Sequence, residues 1–334
     1  MAAAPASRLV VHAALAGNLL VALTKFAAAW WTGSSAMLSE AIHSTVDTAD
    51  QIVLLYGLSR AERPPDALHP LGYGRELYFW SFIVALLMFT LGAGVTAYEG
   101  IAHILEPHGI ENALVAYLVL AAAFVFEGTS WYFAFREFKR AKGNSGYFEA
   151  MRRSKDPPTF IVLFEDSAAL VGLLIAFVGT FLAQRLDMPV LDGVASLGIA
   201  LVLSATALVL AIESKGLLIG EPASPDLRRA IMRTASGVDG IESAQIVFTV
   251  HMAPDQVVVA LSLEFRDSMT APDIEAAIDT LEGAIQARHP EVIAVFVKPE
   301  DKVDQIVLPG RFPGRVRRIS GRTAGSAAAS GQQA

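Results

Sequence analysis

The chain has 334 residues, of which 53% are hydrophobic and 18% charged, and its mean hydropathy of +0.46 is too high for an ordinary water-soluble protein, which implies a polytopic membrane protein. There is no cysteine, which excludes a disulfide framework, a thiolate metal site and a cysteine nucleophile, so any metal must be held by His, Asp and Glu. The formal net charge of −7, concentrated in the C-terminal third up to Asp304, argues against nucleic acid as a partner.

The opening residues MAAAPASRLV lack the charged start, short apolar core and cleavage site of a secretory signal, so the first helix is expected to stay in the mature chain. Six apolar stretches follow, each long enough to span a bilayer: Leu9 to Trp31, Ser35 to Leu58, Leu77 to Leu105, Ala113 to Phe135, Thr159 to Leu182 and Val190 to Ile212. Lys and Arg decide their orientation. Arg8 precedes the first stretch, Arg60, Arg63 and Arg75 follow the second, and Arg136, Lys139, Arg140, Lys142, Arg152, Arg153 and Lys155 follow the fourth. The opposite side has only Arg185, a bias that places both termini in the cytoplasm. Trp30 and Trp31 fit an aromatic belt at one interface.

The first stretch holds Asn18 and Lys25, the latter read as a snorkelling or structural residue, because an ammonium cannot ligate a metal. The second, SAMLSEAIHSTVDTADQIVLLYGL, is the one around which the chain is organised, since it carries Glu40, His43, Asp47 and Asp50 at spanning length. Each ionisable group near a bilayer centre costs about 2.5 to 3.5 kcal/mol, so such residues are retained for use. His43 and Asp47 are four apart and stack on one helix face with Cβ atoms roughly 6 Å apart, and Asp50 falls on the same stripe. An imidazole beside a carboxylate suits a borderline cation such as zinc, whereas magnesium or calcium asks for oxygen alone. The alternative is a buried, hydrogen-bonded cluster linking helices.

After this helix, ERPPDALHPLGYGRELYFW reads as a fixed cytoplasmic loop, because Pro64, Pro65, Pro70, Gly72 and Gly74 forbid regular helix. Asp66 and His69 in it could hold a metal or simply be surface residues. Glu99 and His103 end the third helix as a solvated pair, and Glu127 lies deep in the fourth, either protonated or on a proton pathway. The fifth helix opens after Asp156, Pro157 and Pro158 and carries Glu165 and Asp166. Adjacent residues diverge by roughly 100 degrees, so one of the two faces the second helix and the other a neighbour. Asp192 is expected to be a cap or interfacial group at the outer face, with Gly193 and Ala195 suiting close helix approach.

Beyond Ser214 the apolar load drops. A helix over Ser224 to Ser236, strands over Ala244 to Val250 and Gln256 to Phe265, a helix over Pro272 to Arg288 and a strand over Val292 to Val297 make an α-β-β-α-β order, a small α+β open sandwich of ferredoxin-like type. Gly310 to Ala334 reads as a disordered basic tail. The expected organisation is a six-helix transmembrane domain over 1–213, a cytoplasmic dimerisation domain over 214–300 and the tail over 301–334.

The helix count, the cytoplasmic termini, the C-terminal strand order, HSTVD in the second helix, the HPLGYGRE loop and EDS in the fifth together resemble the cation diffusion facilitators, over about Ser7 to Pro299. The resemblance implies a homodimeric multi-pass carrier in the cell (inner) membrane that exports a divalent metal in exchange for protons by alternating access. It implies a transport site with two ligands four apart on each of the second and fifth helices. His43 and Asp47 match the first pair, a combination that the resemblance associates with zinc. Asp166 matches the last ligand, but Val162 stands where its partner would be, and Glu165, Asp50 or a water is expected to complete the site, Glu165 first. The metal is therefore read as zinc, with manganese, iron or cobalt behind it. In the loop, Asp66 and His69 match a secondary site whose second His is replaced here by Tyr73. The soluble domain has only His251 and His289, with Ser262 where a histidine is expected, so it is read as supporting dimerisation without tight zinc binding.

A divalent cation among two carboxylates and a neutral imidazole is near neutral, an empty site is not, and protons are expected to refill it, with His43 taking one as metal leaves. Zinc is then transported substrate, with no resident cofactor. An intramembrane metalloenzyme is the weakest alternative, since no HExxH or Walker loop is present. A metal-gated channel or sensor is the other.

Overall fold

The computed structural model describes residues 5–110, 112–141 and 157–300. The expected basic tail, 301–334, and the basic residues Lys142, Arg152, Arg153 and Lys155 lie outside the described residues. The helices are α1 (Pro5–Thr32), α2 (Ser35–Ala61), α3 (Glu76–Leu105), α4 (Ala113–Ala141), α5 (Pro157–Arg185) and α6 (Val190–Ile219). By length and composition α3 to α6 contain four candidate membrane spans. α1 and α2 are of comparable length, 28 and 27 residues. The helices outrun the apolar stretches, α4 reaching Ala141 and α6 reaching Ile219, because backbone hydrogen bonding continues into water after the apolar run has ended.

The joint between α1 and α2 is set locally. Gly33 takes φ +63, the left-handed conformation that ends a helix, and Ser34 then caps α2 by accepting from the Met37 amide at 3.2 Å. α3 contains a π-helical turn over Met88–Ala93, which the apolar pattern does not announce.

α2 packs against α1, α3, α5 and α6, α4 against α1 and α5, and α5 against α6. Their shared core is built largely from small residues, Ala28, Ala36, Ala116, Ala168, Ala176 and Ala195, with Leu173, Ile199 and Leu203 filling between them. Without a hydrophobic drive between helices in lipid, close backbone approach supplies the packing energy. Gly179 lies so near Ala195 that a side chain there would overlap the alanine methyl, and a Cβ on Gly193 would sit 2.9 Å from the Gly100 carbonyl oxygen. Gly179→Leu is therefore expected to force α5 from α6, costing about 1 to 3 kcal/mol. A lowered unfolding temperature of the purified variant is the check, and an unchanged one counts against this packing.

The C-terminal region follows the order α7 (Pro225–Ala235), β1 (Ile241–Ala253), β2 (Gln256–Phe265), α8 (Ala271–Arg288), β3 (Val292–Pro299). The sheet order is β1-β2-β3, antiparallel then parallel, with Val257 opposite both His251 and Val292. Alternate β2 residues Val257, Val259, Leu261 and Leu263 share one core with Leu227 and Ile231 of α7 and Leu281 and Ile285 of α8, so both helices cover one sheet face. β1 begins earlier and β3 ends later than the apolar alternation suggests, since ladder pairing holds the flanking polar residues. The loop before α3 rests on this sheet: a Cβ on Gly74 would come within 2.8 Å of the Met252 carbonyl oxygen.

Candidate metal pathway

The polar load of α2 is turned inward. His43 is 1% exposed and Asp50 0%, in a helix whose Val46 faces Gly92 of the π turn in α3. His43 Nδ1 and Asp47 Oδ1 are 3.2 Å apart, as the four-residue spacing requires, yet they are not aligned as a hydrogen bond. Both imidazole nitrogens, Asp47 Oδ1 and both oxygens of Asp50 are buried without a hydrogen-bond partner.

α5 completes the cluster. Glu165 is 3% exposed with Oε1 unpartnered, and its charge interacts with those of Asp50, Asp47 and Asp166. Asp166 instead accepts from Ser130 Oγ of α4 at 2.9 Å, and Trp131 Nε1 donates to Ser167 Oγ at 2.9 Å. The offset between neighbouring residues thus aims the two acids differently. Buried polar atoms are nearly always partnered, and the concentration of unpartnered acceptors between α2 and α5 is what a cation-handling pathway requires. Among the described residues no three His, Asp or Glu side chains converge tightly enough to hold a metal ion, so the structure brings the candidates to one region without assembling them into a finished coordination shell.

Lys25, read as snorkelling or structural, is fully buried in the second way and reaches Glu40, Ser44 and Glu127, partners that the sequence did not indicate. Asp192, expected as an interfacial cap, is 0% exposed and accepts from Ser34 Oγ, the Ala36 amide and Thr180 Oγ1, tying α6 to the start of α2 and to α5. Glu99 and His103 also depart from a solvated pair: His103 is 8% exposed, its Nε2 is unpartnered, and no ion pair joins it to half-buried Glu99 among the described residues. α6 covers this turn of α3 at Gly193.

In the loop, Asp66 is held from three sides. Tyr73 Oη donates to it at 2.6 Å and the amides of Leu68 and His69 at 2.9 and 2.7 Å, while His69 Nδ1 lies 3.5 Å away. These donors, the Tyr73 hydroxyl first, hold the Asp66 carboxyl below its ordinary range. A lowered folded value means that the interaction is present above the unfolded pKa of about 3.9 and is lost as pH falls through the folded one. Tyr73→Phe is expected to move the Asp66 titration upward and to loosen the loop. Carboxyl NMR titration checks this, and an unmoved midpoint contradicts it.

Residues 11–219 match the family model for the cation efflux transmembrane domain. The chain is 31% identical over 323 residues to the mitochondrial proton-coupled zinc antiporter SLC30A9 of Xenopus laevis, with 85% of this chain and 58% of that protein covered. It is 36% identical over 220 residues to the human protein of the same name, covering 65% and 39%. With the cation-efflux pump FieF of Cronobacter sakazakii the identity is 25% over 287 residues, covering 85% of this chain and 90% of that one. The chain thus spans 58% and 39% of the length of the two antiporters.

Proposed function

The chain belongs to the cation efflux family, whose members are transporters and not enzymes, and from that premise we propose that it exports a divalent metal, zinc first, from the cytoplasm in exchange for protons by alternating access. The observation that carries this reading is the run of buried, unpartnered donors on α2 and α5, His43, Asp47, Asp50 and Glu165, in an integral multi-pass membrane protein. His43, Asp47 and Asp166 are the principal ligands in this reading, with Glu165 and then Asp50 completing the set where Val162 offers no donor. Zinc is substrate here, and no resident cofactor is needed. When metal leaves, protons replace it, because uncompensated negative charge in a low-dielectric interior is unfavourable.

The reading takes six crossings, α1 to α6, in the cell (inner) membrane with both termini cytoplasmic, a membrane domain over 1–213, a soluble domain over 214–300 and a tail over 301–334. It also takes a homodimer, supported by Val247, Phe248 and Phe296, which are 50%, 45% and 55% exposed on β1 and β3. Asp66 and His69 form the secondary loop site only if Asp66 shares oxygens already engaged by Tyr73 and two amides.

Flux of zinc, manganese, cobalt and iron(II) into proteoliposomes under an imposed pH gradient tests the assignment, with Asp166→Ala alongside. Zinc moving only with the gradient, and a variant that is at least tenfold slower, is the expected result. Preference for manganese or iron(II) transfers weight to the oxygen ligands Glu165 and Asp50, and no flux of any metal overturns the carrier.

A further inference from the structure

Lys25 is the cation that the transport reading leaves unused. It is among the largest fully buried side chains of the molecule, and no part of it reaches an interface. Its Nζ lies 2.7 Å from Ser44 Oγ, 3.2 Å from Glu40 Oε2 and 3.6 Å from Glu127 Oε1. The ammonium donates to Ser44 Oγ and Glu40 Oε2 of α2, and Glu127 of α4 faces it as an ion pair. The nest is built with some care on its fourth side: Glu40 Oε1 packs directly against Gly172 of α5, where any side chain would displace it. Glu40 is 0% exposed and Glu127 side-chain exposure is 12%, so Lys25 is the cation that faces both carboxylates in the interior. His43 and Asp47 lie one turn along α2 from Glu40 and Ser44 respectively, which sets the nest beside the cargo site.

A desolvated ion pair contributes little net stability and is a poor reason to bury a lysine in a bilayer. Its position suggests a different use. Two carboxylates and a hydroxyl form an oxygen-only donor set of the kind that takes hard cations, in contrast to the imidazole-bearing cluster next to it. We propose that Lys25 is a tethered cation that fills a second cation nest beside the cargo site, so that the helix bundle admits one divalent ion instead of two. This rests on the cargo reading of His43 and Asp47. The ammonium moves with α1 and cannot be exported. It keeps Glu40 and Glu127 occupied throughout a cycle, so that no second metal ion is held beside the cargo site.

The test is metal binding to the purified full-length chain in detergent, with manganese(II) alone as the probe of the nest and read by electron paramagnetic resonance. Lys25→Ala is expected to bind one manganese ion more than wild type, and Lys25→Ala/Glu40→Gln and Lys25→Arg to bind no more than wild type. An equal count in Lys25→Ala and wild type overturns the proposal. Zinc binding to wild type, measured in parallel, reports on the cargo site instead: its absence counts against that reading, while the manganese gain reports on the nest alone. If Lys25→Ala does not fold, Glu127→Gln in the native chain gives a second measurement. It removes one of the two carboxyl groups beside Lys25, and the half-saturating zinc concentration for transport is expected to rise about tenfold with turnover little changed. A lysine that serves only as scaffold predicts no such split, and an unchanged half-saturating concentration overturns the proposal.

Discussion

Asp47→Ala is expected to reduce metal transport at least about a hundredfold while leaving a folded protein. Asp47 lies one turn from His43, with the two polar atoms 3.2 Å apart, and in the proposed site it is the second donor of the pair, with Asp50 only completing the set. Loss of an outer partner that merely orients a ligand commonly weakens metal binding 10- to 100-fold, so loss of a ligand sets a larger scale. Folding is expected to survive because Asp47 Oδ1 has no hydrogen-bond partner to forfeit. Zinc flux into vesicles measures the first part and thermal unfolding the second. A variant that transports within threefold of wild type removes Asp47 from the site.

Asp192→Ala is expected to do the reverse, damaging the fold more than the ligand set. Its carboxylate accepts from Ser34 Oγ at 2.9 and 3.0 Å, the Ala36 amide at 3.1 Å and Thr180 Oγ1 at 3.2 Å, with no exposure to solvent. Truncation leaves three buried donors without an acceptor, each worth about 1 to 3 kcal/mol, and partial relaxation brings the expected loss to about 3 to 5 kcal/mol. Since α1 to α2, α5 and α6 meet there, the loss should appear as a lowered unfolding temperature and a poor folded yield. Asp192→Asn keeps one acceptor and should fall between. Unfolding of Asp192→Ala within a degree or two of wild type would contradict this account of the residue.

The contrast between these two aspartates shows what the sequence could reveal. Helix existence was legible because spanning length and apolar content are local properties, and the α-β-β-α-β order was legible because alternation and caps such as Ser224 are local too. The α2 stripe was legible for the same reason, since four-residue spacing is a fact about one helix. Asp192 was read as interfacial from its place at a helix start, and its actual partner Ser34 is 158 residues away. Lys25 finds Glu40 and Ser44 at separations of 15 and 19, across a helix joint whose angle no local pattern specifies. The π turn at Met88–Ala93 was also invisible, because one extra residue in a helical turn does not disturb an apolar run. The different directions of Glu165 and Asp166 followed from helix geometry alone, but that Ser130 receives Asp166 did not.

The most direct test of export by exchange is to load purified protein into vesicles and record zinc entry and internal pH in the same sample, with and without an outward proton gradient. The account predicts saturable zinc uptake that accelerates with the gradient, proton efflux that rises and stops with zinc, and loss of both in Asp47→Ala. Zinc uptake that is unsaturable and indifferent to the gradient, with no accompanying proton movement, would contradict it and identify a pore.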